Sequence, residues 1–303
     1  MKHNLKVTAI LLAMFFIAQL IGIFVVNSYT GESLPYGMQP PEMKPQESVI
    51  SIMFSLFIAV MLIFLLMKIK ATLFIKLWFF AVVVIALALF FNSIFLYFPQ
   101  ISSYSSILAI ILAIPLAIYK IFKRNIIVHN ITELLVYPGI AAVFVPILNM
   151  YSIIILLLLI SAYDIYAVWH SGFMQKMAKF QINQLKIFTG FFLPYADKKT
   201  RMQINLLKEK YKNNIPNKVL KKKRFKIQLA ILGGGDVVFP IILAGVVLRT
   251  LGLYQALTIS IFATLSLLYL FIAAKKGKFY PAMPYLTAGC LLGLVVVWLV
   301  SLL

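Results

Sequence analysis

Residues 227–248 read IQLAILGGGDVVFPIILAGVVL. The run has the length and apolar weight of a bilayer-crossing helix, which takes about 20 such residues. Its centre suits that role poorly. Gly233, Gly234 and Gly235 stand together, Asp236 follows at once, and Pro240 comes one turn later. Each glycine weakens a helix interior by roughly 1 kcal/mol relative to alanine. An Asp at mid-bilayer costs about 2.5–3.5 kcal/mol on insertion scales. Read as one helix over 227–248, the stretch places a carboxylate and a loosened backbone inside a membrane. That combination points to a chemical site more than to packing.

Similar apolar runs recur along the rest of the chain. Helices are expected near 7–26, 48–67, 72–98, 104–122, 131–148, 150–169, 227–248, 253–273 and 282–303, which makes nine spans. Hydrophobic residues make up 63% of the 303 and charged residues only 12%, so the chain reads as an all-α polytopic membrane protein. It is expected to form one membrane domain over 1–303, with helices one to six in 1–170, a basic hydrophilic loop in 170–226, and helices seven to nine in 227–303. The first apolar stretch, about 20 residues, exceeds a signal-peptide core of about 7–15, and no A-x-A site follows it. It reads as the first span. A single cysteine, Cys290, leaves no intramolecular disulfide and no paired-thiol metal site.

A net charge of +20 would suggest nucleic acid in a soluble chain, but the placement of the charge assigns it to the membrane. With the N-terminus inside, the inner segments hold 26 of the 28 Lys and Arg residues, leaving Lys44 and Arg249 outside. Without the long loop, the short segments still divide 11 to 2. The positive-inside rule therefore sets the N-terminus inside and the C-terminus outside, in a multi-pass protein expected in the cell membrane. The run KVLKKKRFK at 218–226 reads as an anchor on anionic lipid, with no nucleic-acid partner.

Only eight acidic residues exist, so each can be placed. Glu32, Glu42 and Glu47 fall in the first outer loop, and Asp197 and Glu209 in the inner loop. Glu133 reads as a structural acid at a helix start, with Asn130 or Thr132 as cap. Two acids remain inside spans: Asp164, in LLLLISAYDIYAVW, and Asp236. Counted from the expected helix ends, they lie roughly 8 and 14 Å from the inner side, at 1.5 Å per residue, so they can share one depth. Neither helix interior carries a base to neutralise them.

Two carboxyls within reach of one another hold a single proton between them near neutral pH. The ionised member can take a proton from water as it attacks a peptide carbonyl, and the protonated member can donate to the carbonyl oxygen. This is aspartic-protease chemistry and requires no metal or other cofactor. The glycines allow another backbone to approach closely, and Pro240 leaves the Asp236 carbonyl without its helical partner. Freed backbone groups at membrane depth are tolerated where they line a cavity. His3, His129 and His170 form no H-E-x-x-H pair and no G-x-S-x-G occurs, so zinc and serine chemistries find no support. The alternative is a proton- or ion-coupled transporter using the same two Asp residues. It predicts broken helices at matching positions in two halves, and only one helix is interrupted in this way.

Together, Tyr163-Asp164, Gly233-Gly234-Gly235-Asp236 and Pro281-Ala282-Met283 resemble the Y-D, G-x-G-D and P-A-L motifs of the presenilin and signal peptide peptidase family of intramembrane aspartyl proteases. The archaeal presenilin homologues are the nearest pattern. The resemblance implies that Asp164 and Asp236 are catalytic, that Tyr163, Gly233 and Gly235 flank them, and that Pro281, Ala282 and Met283 shape the site. Met283 stands where the family has leucine. It also implies transmembrane substrates and a chain that acts without accessory subunits, and the inside N-terminus matches the presenilin branch. Because Gly234 fills the variable position, Gly235→Ala is expected to cost more activity than Gly234→Ala.

Overall fold

The computed structural model describes residues 5–31, 34–39, 45–69, 71–123, 125–170, 189–196, 200, 202, 227–274 and 280–302. Most of the basic loop, including 218–226, and Arg124 and Lys275 to Lys278 lie outside the described residues, as do Glu32, Glu42, Asp197 and Glu209. In chain order the helices are α1 (Leu5–Ser28), α2 (Pro45–Lys68), α3 (Thr72–Phe95), α4 (Ser105–Phe122), α5 (Ile126–Phe144) and α6 (Met150–Trp169). Two strands follow, β1 (Gly190–Ala196) and β2 (Ile227–Gly233), then α7 (Gly234–Leu251), α8 (Leu253–Ala273) and α9 (Met283–Ser301). Eight of these helices are long and apolar enough to cross a membrane. In α2 the apolar stretch found is the shorter Ile50–Ala59. The fold is that of an all-α polytopic membrane protein with one strand pair inserted before α7.

Two expected boundaries move, and both bear on function. Residues 227–233 are not the start of a spanning helix. They form β2, antiparallel to β1 in a register that pairs Ala196 with Ile227 and Gly190 with Gly233. α5 begins at Ile126 rather than near 131, because Asn125 caps it, accepting from the backbone N–H groups of Ile127 (2.9 Å) and Val128 (3.3 Å). Neither Asn130 nor Thr132 is the cap, and Glu133 lies two turns inside the helix.

The main core joins α1, α5, α6, α7, α8, α9 and both strands. α7 is the most deeply enclosed of the spanning helices and packs against α1, α5 and α8. Lipid offers no hydrophobic drive for such contacts, so small residues and buried hydrogen bonds hold them. Gly139 lets the α5 backbone close on the Ala86 carbonyl of α3. Gln19 of α1 donates to the Val237 carbonyl at 3.2 Å, near the point where Pro240 interrupts the α7 ladder. Beyond α1, the Tyr29 hydroxyl shares its one proton between the Leu89 carbonyl at 2.7 Å and Asn92 Oδ1 at 3.0 Å. Cys290 is fully buried in the core.

Candidate active site

Asp236 owes its position to a junction without a loop. Gly233 ends β2 and is at once the N-cap of α7, with φ −64° and ψ 146°. Asp236 is therefore the third helical residue and not a mid-helix one. At that position an acidic side chain can reach back to the cap amide, and the Asp236 carboxylate does so, accepting from the Gly233 N–H. An acid in the first turn also suits the helix dipole. Local geometry thus offsets part of the insertion cost inferred for a mid-helix carboxylate. Gly233 has its own reason to lack a side chain, since a Cβ there would meet Asp236 Oδ2 at 3.0 Å.

Asp164 is held from another element. It lies in the last third of α6 and is buried. Its Oδ2 accepts the backbone N–H of Met283 at 3.1 Å, with Ala282 as a second backbone donor. Those donors are the free amides at the N-terminus of α9, where Pro284 occupies the first turn. Pro281 and Met283 are buried and Ala282 half-buried. The PAM segment thus both begins a helix and seats a carboxylate. One turn away, Ser161 Oγ and Thr287 Oγ1 share a hydrogen bond of 2.7 Å and tie α6 to α9. Tyr163 points outward and is 48% exposed.

α6, α7 and α9 pack against one another, and Asp164 on α6 is near enough for its charge to act on Asp236 of α7. A cavity of about 630 Å³ opens among α2, α3, α5 and α7 and reaches Gly234 and Gly235, the residues just before Asp236; neither carboxylate lines it. Its walls are almost entirely apolar, broken by Ser51, Ser55, Lys120, Glu133, Tyr137 and Thr189. Such a cavity accommodates bulky apolar groups and a few directed polar contacts. Among the described residues, no three His, Cys, Asp or Glu side chains gather as a metal site.

The glycines differ in the room around them. A Cβ on Gly234 would meet the Tyr137 hydroxyl at 3.0 Å and its ring at 3.1 Å. Tyr137 is 2% exposed and stacks edge-on against Phe191 of β1, with ring centroids 5.4 Å apart, so it has little room to yield. A Cβ on Gly235 would make only ordinary contact, 3.7 Å to Phe239. The tight position is Gly234, while Gly235 faces open space.

Sequence reasoning also missed a polar face of α5. Glu133 is 1% exposed and pairs with Lys120 of α4 at 2.7 Å, with His129 Nε2 at 3.6 Å. Lys120 therefore belongs to a buried ion pair. The Tyr137 hydroxyl lies beside Glu133 but outside good hydrogen-bond geometry. His129 Nε2 donates to the Gly190 carbonyl at 2.9 Å. Asn130 binds Phe192 twice, Nδ2 donating to its carbonyl at 3.0 Å and Oδ1 accepting its N–H at 3.2 Å. The available signal was a Lys in the last turn of one expected helix and a Glu near the start of the next, on either side of a short connection.

The chain resembles known proteins. It is similar in fold to two solved structures, each of a presenilin family intramembrane aspartate protease, one in space group P2 and one in C222. For the first, identity is 19%, coverage 94% of this chain and 95% of the other, and TM-score 0.60. For the second, identity is 19%, coverage 95% and 97%, and TM-score 0.59. The comparison with curated proteins gave no match. The profile of the family described as signal-peptide peptidase, presenilin aspartyl protease matches residues 12–303, nearly the whole sequence, and the chain belongs to that family.

Proposed function

We propose that this protein is an intramembrane aspartic endopeptidase that hydrolyses peptide bonds within transmembrane segments, with Asp164 and Asp236 as its catalytic pair. The observation that supports the reading is that two intramembrane carboxylates from separate elements lie near enough for one charge to act on the other, with a largely apolar cavity reaching the glycines that precede Asp236. Each is seated by backbone amides. The ionised carboxylate takes a proton from water while the water oxygen bonds to the peptide carbon. The protonated one delivers its proton to the carbonyl oxygen, giving a gem-diol. Proton transfer to the nitrogen then lets the C–N bond break and releases an acid and an amine. Amides that hold the carboxylates before substrate arrives spare the transition state that reorganisation.

The cavity gives a transmembrane segment a place to enter, and Gly235 leaves room for its backbone. The outer edge of β1 is occupied by His129 and Asn130. Among the described strands, the edge left for an added strand is that of β2, which runs directly into Asp236. An extended substrate pairing there would acquire a fixed polarity. With nine spans, the N-terminus inside and the chain in the cell membrane, the favoured substrates are single spans with an outer N-terminus. They should be cut first in the inner half.

The test uses the purified single chain in liposomes with matched single-span substrates in both orientations. Cuts are mapped by mass spectrometry, with and without a transition-state-analogue aspartyl-protease inhibitor. Inhibitor-sensitive cleavage of the outer-N-terminus substrate is the expected result. Absence of cleavage would defeat the reading, and equal cleavage of both orientations would defeat its directional part.

A further inference from the structure

The face of α5 that turns toward the strands carries His129, Asn130, Glu133 and Tyr137 at helical spacing. Three of them grip β1. His129 takes the Gly190 carbonyl, Asn130 takes both backbone groups of Phe192, and Tyr137 packs on the Phe191 ring. Alternate residues of a strand direct their backbone groups the same way, so Gly190 and Phe192 offer α5 the edge of β1 that faces away from β2. β1 in turn is paired with β2 along its whole length, and its first residue is opposite Gly233, the N-cap of α7. No loop separates that cap from the helix carrying Asp236.

We infer that His129 and Asn130 are positioning residues: they set the place of Asp236 through the strand pair, without touching substrate. Asn130 is well suited to this. A side-chain amide that donates to and accepts from one residue fixes that residue along the strand as well as across it. His129 fixes a second point two residues away. The Lys120–Glu133 pair lies beside the same ring nitrogen, with Glu133 Oε1 3.6 Å from Nε2. Displacing a reacting group by about 1 Å can cost about 100-fold in rate, so the grip on β1 is read out in the chemical step and only weakly in substrate capture.

This inference rests on the protease reading above, and the experiment separates the two. Full-length His129→Ala, His129→Gln, Asn130→Ala and Asn130→Asp are compared with the wild type in liposomes. kcat and KM are measured on one transmembrane substrate, and hydrogen exchange is followed across 190–196 and 227–233. The alanine variants should lose about 10- to 100-fold in kcat while KM moves by less than about threefold. Exchange should quicken in the two strands and not elsewhere. Gln carries an N–H donor near the position of Nε2, so His129→Gln should recover most of the rate, whereas His129→Ala should not. Asn130→Asp keeps the shape and the acceptor but loses the donor to the Phe192 carbonyl. It decides the matter if Asn130→Ala fails to fold, and a wild-type kcat in it overturns the inference. Unchanged kcat in both alanine variants, or a loss that His129→Gln does not restore, also overturns it. A wild type that cleaves nothing would defeat the protease reading. The exchange data then decide the clamp alone, and strands as protected in the alanine variants as in the wild type overturn it.

Discussion

Asp164 and Asp236 reach the same site from opposite kinds of structure. Asp164 stands inside a regular helix, and its partners come from α9, more than a hundred residues away in sequence. Asp236 stands at a helix start, and its partner is the glycine three residues before it. The first carboxylate depends on tertiary packing of α6 against α9, reinforced by Ser161 and Thr287. The second depends on one junction and on whatever holds the strand leading into it. Damage to the α6–α9 half should therefore spread through helix packing, while damage to the β2–α7 half should be local and steep.

The sharpest way to break the comparison is to remove each carboxylate in turn. Asp164→Asn and Asp236→Asn should each lower kcat by at least about 10⁴-fold, and the double variant hardly further, because groups that act as a unit are not additive. Substantial turnover by one single variant would mean that the halves are not equivalent in the chemistry. Next in size is Gly234→Ala, where the added methyl presses on an immobile Tyr137. It should destabilise by about 1–3 kcal/mol, as overpacking does, and lower kcat. Thermal unfolding in detergent measures the first effect. Gly235→Ala adds a methyl in open space, so its melting temperature should hold while KM for a transmembrane substrate rises a few-fold, by about 1 kcal/mol. A larger loss of stability at Gly235 than at Gly234 would reverse the assignment of tight and open positions. Smallest of all is Met283→Leu. The Asp164 donor there is a backbone N–H and the swap conserves volume, so stability should change by less than about 1.5 kcal/mol and activity by little.

The spanning helices were legible because long apolar runs have few other solutions. The two intramembrane acids were legible as candidates because so few acids exist that each could be placed. β2 was not. IQLAILG is apolar at nearly every position, and such a run carries no period to tell strand from helix. Its partner, GFFLPYA, sits beyond a long basic stretch, so the pairing that moves Asp236 from mid-helix to helix start is non-local. Glu133 was misplaced for a related reason. Its burial is explained only by Lys120, which belongs to another helix. The ranking of the glycines followed a motif position, whereas the space around each depends on Tyr137 and Phe239.

The buried Lys120–Glu133 pair also constrains how the protein is made. α4 and α5 are consecutive, joined only by residues 123–125, and each brings one member of the pair. Either charge alone in lipid is costly, up to about 2.5–3.5 kcal/mol at a helix centre. Side by side, the two enter as a neutral unit. α4 and α5 should thus leave the insertion machinery together, as a helical hairpin. A nascent chain ending just after Phe122 should hold α4 in the bilayer less firmly than one extended past Phe144. Alkaline extraction of ribosome-bound chains of the two lengths measures that difference, and replacing Lys120 with Met should abolish it.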